Sequence, residues 1–303
     1  MRIGYPSINR SIGCKGTRTF RLSSYSEERL ASTVANNLDC LHQVLSFNVE
    51  HGILFFRITS DLIPFASHPV CQFDWPGFFA ADFNSIGSYI RAHDIRISMH
   101  PGQYVVLNTP NADTLHNTVR ELEYHAVALD AMGLDASAKI QVHVGGVYGD
   151  REAGIRRFVD RYERLDHRIK RRLVIENDDR SYALRDCVRI HAETGVPVLF
   201  DVYHHHLHSL GESIPDAFTL FSDTWADRDG LPLVDYSHRS ESGRETRHAE
   251  TIDLEHFGRF LQESRPFDFD VMLEIKDKEA SALKAVALAR GDERFVGTGG
   301  PSD

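Results

Sequence analysis

Six segments that read as β-strands end in side chains able to hold metal ions. Ser98-Met99-His100 closes one, Gln141-Val142-His143 another, and Val174-Ile175-Glu176-Asn177 a third. Phe200-Asp201 closes the fourth, with His204 three residues on; Asp235 lies in the fifth and Leu273-Glu274 closes the sixth. Neutral imidazole and carboxylate are natural ligands for Zn²⁺ or Mn²⁺. Converging carboxylates also need cations to neutralise them. A lone histidine at a strand end is ordinarily a hydrogen-bonded structural residue, because loop ends are polar in any case. Six strands that end alike point instead to a metal site. Asp201-x-x-His204 has a useful spacing, since a turn leaving a strand can aim both side chains at one ion. His205, His206 and His208 read as surface or supporting residues.

Several closely spaced ions suit an in-line phosphoryl displacement, one activating water and another stabilising the leaving oxygen. One or two ions that polarise a carbonyl and a hydroxyl would suit sugar isomerisation or epimerisation. The ligand set alone does not separate these, nor does it exclude a non-catalytic binding protein with a degraded site. The loops add a second signal. His100-Pro101-Gly102-Gln103-Tyr104 places a Pro-Gly turn after a ligand and then presents an amide and an aromatic ring. Tyr5 ends the first strand. Two tyrosines and a glutamine above a metal site could stack on nucleobases or wedge between them; the plainer alternative is a packed loop. Arg18 and Arg21, then Arg239, Arg244 and Arg247, lie in loops on the same side and could meet phosphates. Glu241 and Glu245 among them fit an ordinary solvated loop equally well.

The elements that must position these residues alternate. Short apolar strands are expected at Ile3–Tyr5, Ile53–Ile58, Ile95–His100, Lys139–Val144, Leu173–Glu176, Val196–Val202, Leu231–Ser237 and Asp270–Ile275. Amphipathic helices are expected between them, at Ser26–His51, Ala81–His93, Asp113–Met132, Arg151–Arg171, Tyr182–Glu193, Ile214–Trp225, Leu254–Glu263 and Glu279–Arg290. In the first, Leu30, Val34, Leu38, Leu41, Leu45 and Val49 keep a helical spacing. Strand–helix alternation implies right-handed crossovers and a parallel sheet. Eight such units close into a (β/α)8, or TIM, barrel of the α/β class, whose active sites lie at the C-terminal ends of the strands. A single domain over residues 1–290 is expected, with 291–303, rich in Gly and acidic residues, as a flexible tail.

The 303 residues somewhat exceed the ~250 of a typical barrel. A net charge of −10 argues against affinity drawn from phosphate neutralisation alone, but bound cations offset part of it. Cys14, Cys40, Cys71 and Cys187 show no C-x-x-C spacing, so reduced thiols in a cytoplasmic protein are expected. No apolar run approaches a membrane span, and the start Met1-Arg2-Ile3-Gly4-Tyr5 reads as a strand, so no signal peptide is expected.

A set of longer stretches resembles the UV damage endonucleases, relatives of the endonuclease IV barrels. It comprises Arg18-Thr19-Phe20-Arg21-Leu22, Phe56 to Phe65 (FRITSDLIPF) with Ala66-Ser67-His68-Pro69, His100 to Tyr104, Glu176-Asn177-Asp178-Asp179 and Asp201-x-x-His204. The resemblance runs from about Arg2 to Lys276. It implies a barrel holding two or three divalent ions, Mn²⁺ first, with Mg²⁺, Zn²⁺ or Co²⁺ as alternatives. It implies incision of double-stranded DNA 5′ to UV photoproducts and, more weakly, to abasic sites. A monomer close to the nucleoid of a bacterial or archaeal cell is the matching expectation. The implied ligands are His100, His143, Glu176, Asp201, His204, His248 and Glu274, with His68 as a further ligand or its support. Glu176, His100, His143 and Glu274 would be the catalytic core, with Glu176 bridging ions. Gln103 and Tyr104 would probe the lesion from the opposite strand, and Tyr5 would touch the damaged dinucleotide, with Asn9 and Arg18 as further DNA contacts. Strand seven departs from the family. A Lys-x-His-x-Ser pattern is usual there, and this chain has Leu233-Val234-Asp235-Tyr236-Ser237, so Asp235 would supply an oxygen ligand in place of histidine.

Overall fold

Period-two alternation in the strands decides what lies inside the barrel. In a computed structural model describing residues 1–240 and 247–297, eight parallel strands pair in chain order and close on themselves. They are β1 Ile3–Pro6, β2 Phe55–Ile58, β3 Arg96–Met99, β4 Lys139–His143, β5 Leu173–Glu176, β6 Val198–Asp201, β7 Leu233–Tyr236 and β8 Asp270–Leu273. Closure comes from β1 against β8, with Ile3 opposite Val271. The helices are α1 Glu27–Glu50, α2 Trp75–Phe78, α3 Ala80–Ala92, α4 Ala112–Ala131, α5 Arg151–Glu163, α6 His167–Lys170, α7 Leu184–Thr194, α8 Val202–Leu207, α9 Ile214–Ser222, α10 Leu254–Glu263 and α11 Glu279–Ala289. None is long and apolar enough to cross a membrane.

Phe55, Val174, Leu199, Leu233 and Met272 form a separate apolar layer, each from a different strand. Side chains two residues further along a strand point the same way. The residues one pleat above this layer are therefore Arg57, Glu176, Asp201, Asp235 and Glu274. The apolar layer seals the barrel beneath them, and the polar layer opens toward the C-terminal face. The intervening residues, such as Phe56, Ile175, Phe200, Val234 and Leu273, belong to the larger core between sheet and helices.

Four local departures from the sequence reading have physical causes. The long charged helix breaks after Glu163, because Asp166 accepts the Arg168 N–H and starts the separate turn α6. The sixth strand stops at Asp201, whose side chain caps α8 through the His204 N–H. Cys14 and Cys40 are joined as a disulfide, not held as free thiols; Cys71 and Cys187 are free. The loop after β1 folds back over α1, held by Asn37, whose amide receives the Arg18 N–H and donates to the Arg18 carbonyl. That brings the two cysteines within 5.7 Å at Cα. The expected loose tail is packed as far as Gly297. Arg294 donates to the carbonyls of Leu261 and Phe267, and Val296 N–H to Met1. Residues 298–303 lie outside the described residues.

Candidate metal centre and active site

Glu176 stands at the middle of the polar layer and is buried. Nε2 of His100 lies 3.7 Å from its Oε2, and Nε2 of His143 lies 3.9 Å from the same atom. Both separations are too long for hydrogen bonds. They match two ligands that each sit about 2.0–2.2 Å from one shared cation. On the other side, His204 Nδ1 is 3.1 Å from Glu176 Oε1 and 3.6 Å from Asp201 Oδ2. Among the described residues, three sets could hold an ion: His100, His143 and Glu176; Glu176, Asp201 and His204; and Asp201, Asp235 and Glu274. Glu176 joins the first two. Asp201 Oδ2 and the Nδ1 atoms of His100, His143 and His248 are buried without hydrogen-bond partners. This donor set fits divalent cations.

The electrostatics agree with that fit. Burial, reinforced by Arg57 and His143, lowers His100 to about 4 against the pull of Glu176, so the ring is a neutral ligand. Burial would raise Glu176, but His143, His204 and His100 outweigh it and hold it well below the usual carboxylate range. Burial raises Asp201 to about 6 despite His204. For His204, burial would lower the ring, but Asp201 and Glu176 prevail and hold it up to about 11. A cation entering beside His204 must therefore displace a proton.

Asp235, expected as an oxygen ligand, lies in the third set and is also engaged by neighbouring side chains. Its Oδ1 receives Arg57 Nη2 at 2.6 Å and its Oδ2 receives Gln141 Nε2 at 2.6 Å. Arg57 also donates to Glu274 Oε1 and, at 2.7 Å, to Gln141 Oε1. Gln141 in turn donates to Glu176 Oε2. Arg57 thus holds two carboxylates of the third set, Asp235 and Glu274, as a resident cation. Burial would raise Glu274, but Arg57 outweighs it and holds it at about 2. Burial still keeps Asp235 well above the usual range, with Glu274 and Glu176 adding to it. Sequence reading passed over Arg57 and Gln141 as site residues. The signal was present: a charged residue within the apolar run ILFFRI has to find buried partners.

The remaining expected residues divide. His248 joins the cluster, its Nε2 3.8 Å from Glu274 Oε2. His68 does not; it is exposed, and its Nδ1 accepts the Val70 N–H. Gln103 and Tyr104 are exposed above the site, Tyr104 at 81%. Gln103 lines the same cleft of about 410 Å³ as His100, His143, His248 and Glu274. Arg18, Arg21, Arg239 and Arg247 are exposed; Arg244, with Glu241 and Glu245, lies outside the described residues. Tyr5 is not at the surface. It aligns with Phe56 on the outward face of the sheet, and its hydroxyl lies between Asn48 and Asn9, at 2.7 and 2.9 Å. Asn9 is buried too, its Oδ1 accepting the N–H groups of Ser11 and Ile12. In this structure both residues brace the loop after β1 and make no open DNA surface.

The architecture is thus a parallel (β/α)8 barrel with a histidine–carboxylate cluster, able to hold divalent cations, at the C-terminal ends of its strands. Solved structures under 25% identical share that fold, among them endonuclease IV from Thermus thermophilus, 13% identical with a TM-score of 0.56 over 83% of this chain and 93% of that one. A 3-keto-D-glucoside 4-epimerase from E. coli, 14% identical over 96% of this chain and 99% of that one, shares it with a TM-score of 0.55. The fold thus leaves both chemistries open. The family comparison does not: residues 1–294 match the model of UV-endonuclease UvdE, and the chain belongs to that family of DNA-repair endonucleases. The crystal structure of SacUVDE is 45% identical and superposes with a TM-score of 0.92, covering 96% of this chain and 98% of that one. A UV DNA damage endonuclease of Clostridium perfringens is 35% identical over 94% of this chain and 70% of its own length. One of Bacillus cereus is 32% identical over 94% and 93%.

Proposed function

We propose that this chain incises the backbone of double-stranded DNA on the 5′ side of UV photoproducts, and more weakly beside abasic sites. The catalytic unit is residues 1–290, acting as a monomer at the bacterial or archaeal nucleoid. The cofactor is a cluster of two or three divalent ions, Mn²⁺ first, with His100, His143, Glu176, Asp201, His204, His248 and Glu274 as its holders. The observation that carries this reading is the cluster centred on Glu176 beneath the exposed Gln103–Tyr104 loop.

When bound, the ions supply a nucleophile at neutral pH and a charge clamp on the phosphoryl group. The protein's own groups do the rest. Glu176, ionised and flanked by three histidines, fixes the spacing of the two sets it joins. His100, kept neutral, presents a lone pair to that spacing. Arg57 offsets part of the negative charge of Asp235 and Glu274, which lessens their repulsion of an approaching phosphate. Tyr104, exposed on its loop, is placed to enter a base stack, and Gln103 offers an amide to the bases it separates. A wedge of this kind suits a duplex with weakened stacking, where unstacking costs least.

The test is nicking of supercoiled plasmid, irradiated or not, by purified protein with Mn²⁺. Nicking should require irradiation and should stop in EDTA. Equal nicking of both plasmids, or nicking undiminished by EDTA, refutes the reading.

A further inference from the structure

Three cationic side chains line the cleft beside the metal-binding cluster: Arg57, Lys276 and Lys278. Two are already satisfied. Arg57 is bound to Asp235 and Glu274, and Lys276 Nζ lies 2.8 Å from Glu250 Oε1. Lys278 differs. Among the described residues its ammonium makes no hydrogen bond and no ion pair, although it is only partly exposed and faces the same space as Glu274 and His248. Glu274 attracts it over a longer range, while burial, Arg57 and Arg10 disfavour its charge. A half-buried cation without a partner among the described residues is costly, and an anionic group of the substrate entering this cleft would supply one.

The backbone gives an independent sign. Lys278 has φ +57° and ψ −117°, a region that residues with a Cβ rarely adopt. Such strain persists only where the surroundings enforce it, and it gathers at functional sites. Here the surroundings do enforce it. The Lys278 N–H donates to Ile275, its carbonyl receives the Ala282 N–H, and it caps α11. The next residue, buried Glu279, is tied to the loop after β1 by Arg10 N–H at 3.0 Å and Ser11 Oγ at 2.7 Å. Ser7, another non-glycine residue with positive φ, lines the same cleft.

We propose that Lys278 is a catalytic residue of the incision reaction, donating from Nζ to a non-bridging oxygen of the phosphodiester that is cut. This rests on the endonuclease reading above. In the hydrolysis, water oxygen bonds to phosphorus, the bond from phosphorus to the leaving sugar oxygen breaks, and that oxygen takes a proton. Lys278 keeps its own proton throughout. Negative charge on the non-bridging oxygens grows toward the transition state, so the ammonium holds that state more strongly than bound substrate. A compact ammonium with no partner among the described residues is suited to one tetrahedral phosphate.

The test uses Lys278→Gly and Lys278→Met in the full chain. Glycine accepts the positive φ and so relieves the backbone as it removes the charge; methionine keeps the length. Single-turnover incision of irradiated plasmid should fall about 10²–10³-fold in both variants. Affinity for irradiated duplex, read by gel shift with Ca²⁺ in place of Mn²⁺, should fall less than about tenfold, and bound metal per chain and melting temperature should hold. Incision within about threefold of wild type in either variant overturns the proposal. So does a loss of rate that only follows loss of metal or of fold. If the wild type nicks irradiated and plain plasmid alike, the lesion reading fails instead, and the ratio of variant to wild-type rate still decides on Lys278.

Discussion

Replacing Arg57 by methionine removes the one buried cation of the polar layer while keeping most of the side-chain volume. Its guanidinium is shared among Asp235, Glu274 and Gln141, and it is 3% exposed. Breaking a buried ion pair from one side costs about 3–5 kcal/mol, because the abandoned carboxylates stay in place. With about 2.1 cal/mol/K of unfolding entropy per residue, the 303 residues correspond to about 0.6 kcal/mol/K. The metal-free variant should therefore melt about 5–8 °C below the wild type. Asp235 and Glu274, freed from Arg57, then complete the third set with Asp201. A cation present at 100 to 1,000 times its Kd returns about 2.7–4.1 kcal/mol, close to what was lost. Saturating Mn²⁺ should thus close most of the gap between variant and wild type, and elemental analysis should find about one more ion per chain. The assay is differential scanning calorimetry of both proteins in EDTA and in Mn²⁺. An equal gap in the two conditions, with no additional ion, would refute the view that Arg57 stands where a cation would.

Three further outcomes follow from the same geometry. Mn²⁺ affinity should rise by about tenfold per pH unit between 6 and 8, because His204 is held up to about 11 and must lose its proton to bind; a titration independent of pH would show that His204 is no ligand. Joint replacement of Cys14 and Cys40 by serine opens a link 26 residues apart and should cost about 3.5 kcal/mol of stability on the chain-entropy estimate, read from urea midpoints at constant m. Tyr104→Ala, at a position 81% exposed, should leave stability within about 0.5 kcal/mol and metal content unchanged, yet weaken binding to irradiated duplex by about 1–3 kcal/mol in a gel shift.

The clustering of the candidate ligands was legible because the strand pleat sets which side chains share a layer. A strand that runs apolar, then any residue, then ligand puts its first residue in the sealing layer and its third in the site, as Val174 and Glu176 or Leu199 and Asp201 show. Which face a residue takes is a matter of parity, and a short strand gives little to fix it. Tyr5 looked like a site residue because it ends β1, but Gly4 pairs with the inward Phe55 and Tyr5 with the outward Phe56. One step of register separates a lesion contact from a core residue. His68 failed for a different reason: motif proximity says nothing of direction, and the turn at Pro69 leaves its ring at the surface. Lys278 was invisible because its signal is a backbone angle and a missing partner. The disulfide was hidden because loop and helix meet through Asn37, whose contacts no cysteine spacing reveals.

The side chains of strand seven are explained by the layer beneath the site. Leu233 is fully buried among Phe55, Val174, Leu199 and Met272. It packs where a lysine would have to leave apolar surroundings and climb to the ligands. The positive charge comes from β2 instead, through Arg57, and meets Asp235 from strand seven itself. An ion at the third set would have to compete with Arg57 for Asp235 and Glu274, whose oxygens the guanidinium already holds. The leucine in the sealing layer and the inward turn of Arg57 are on this account two parts of one arrangement.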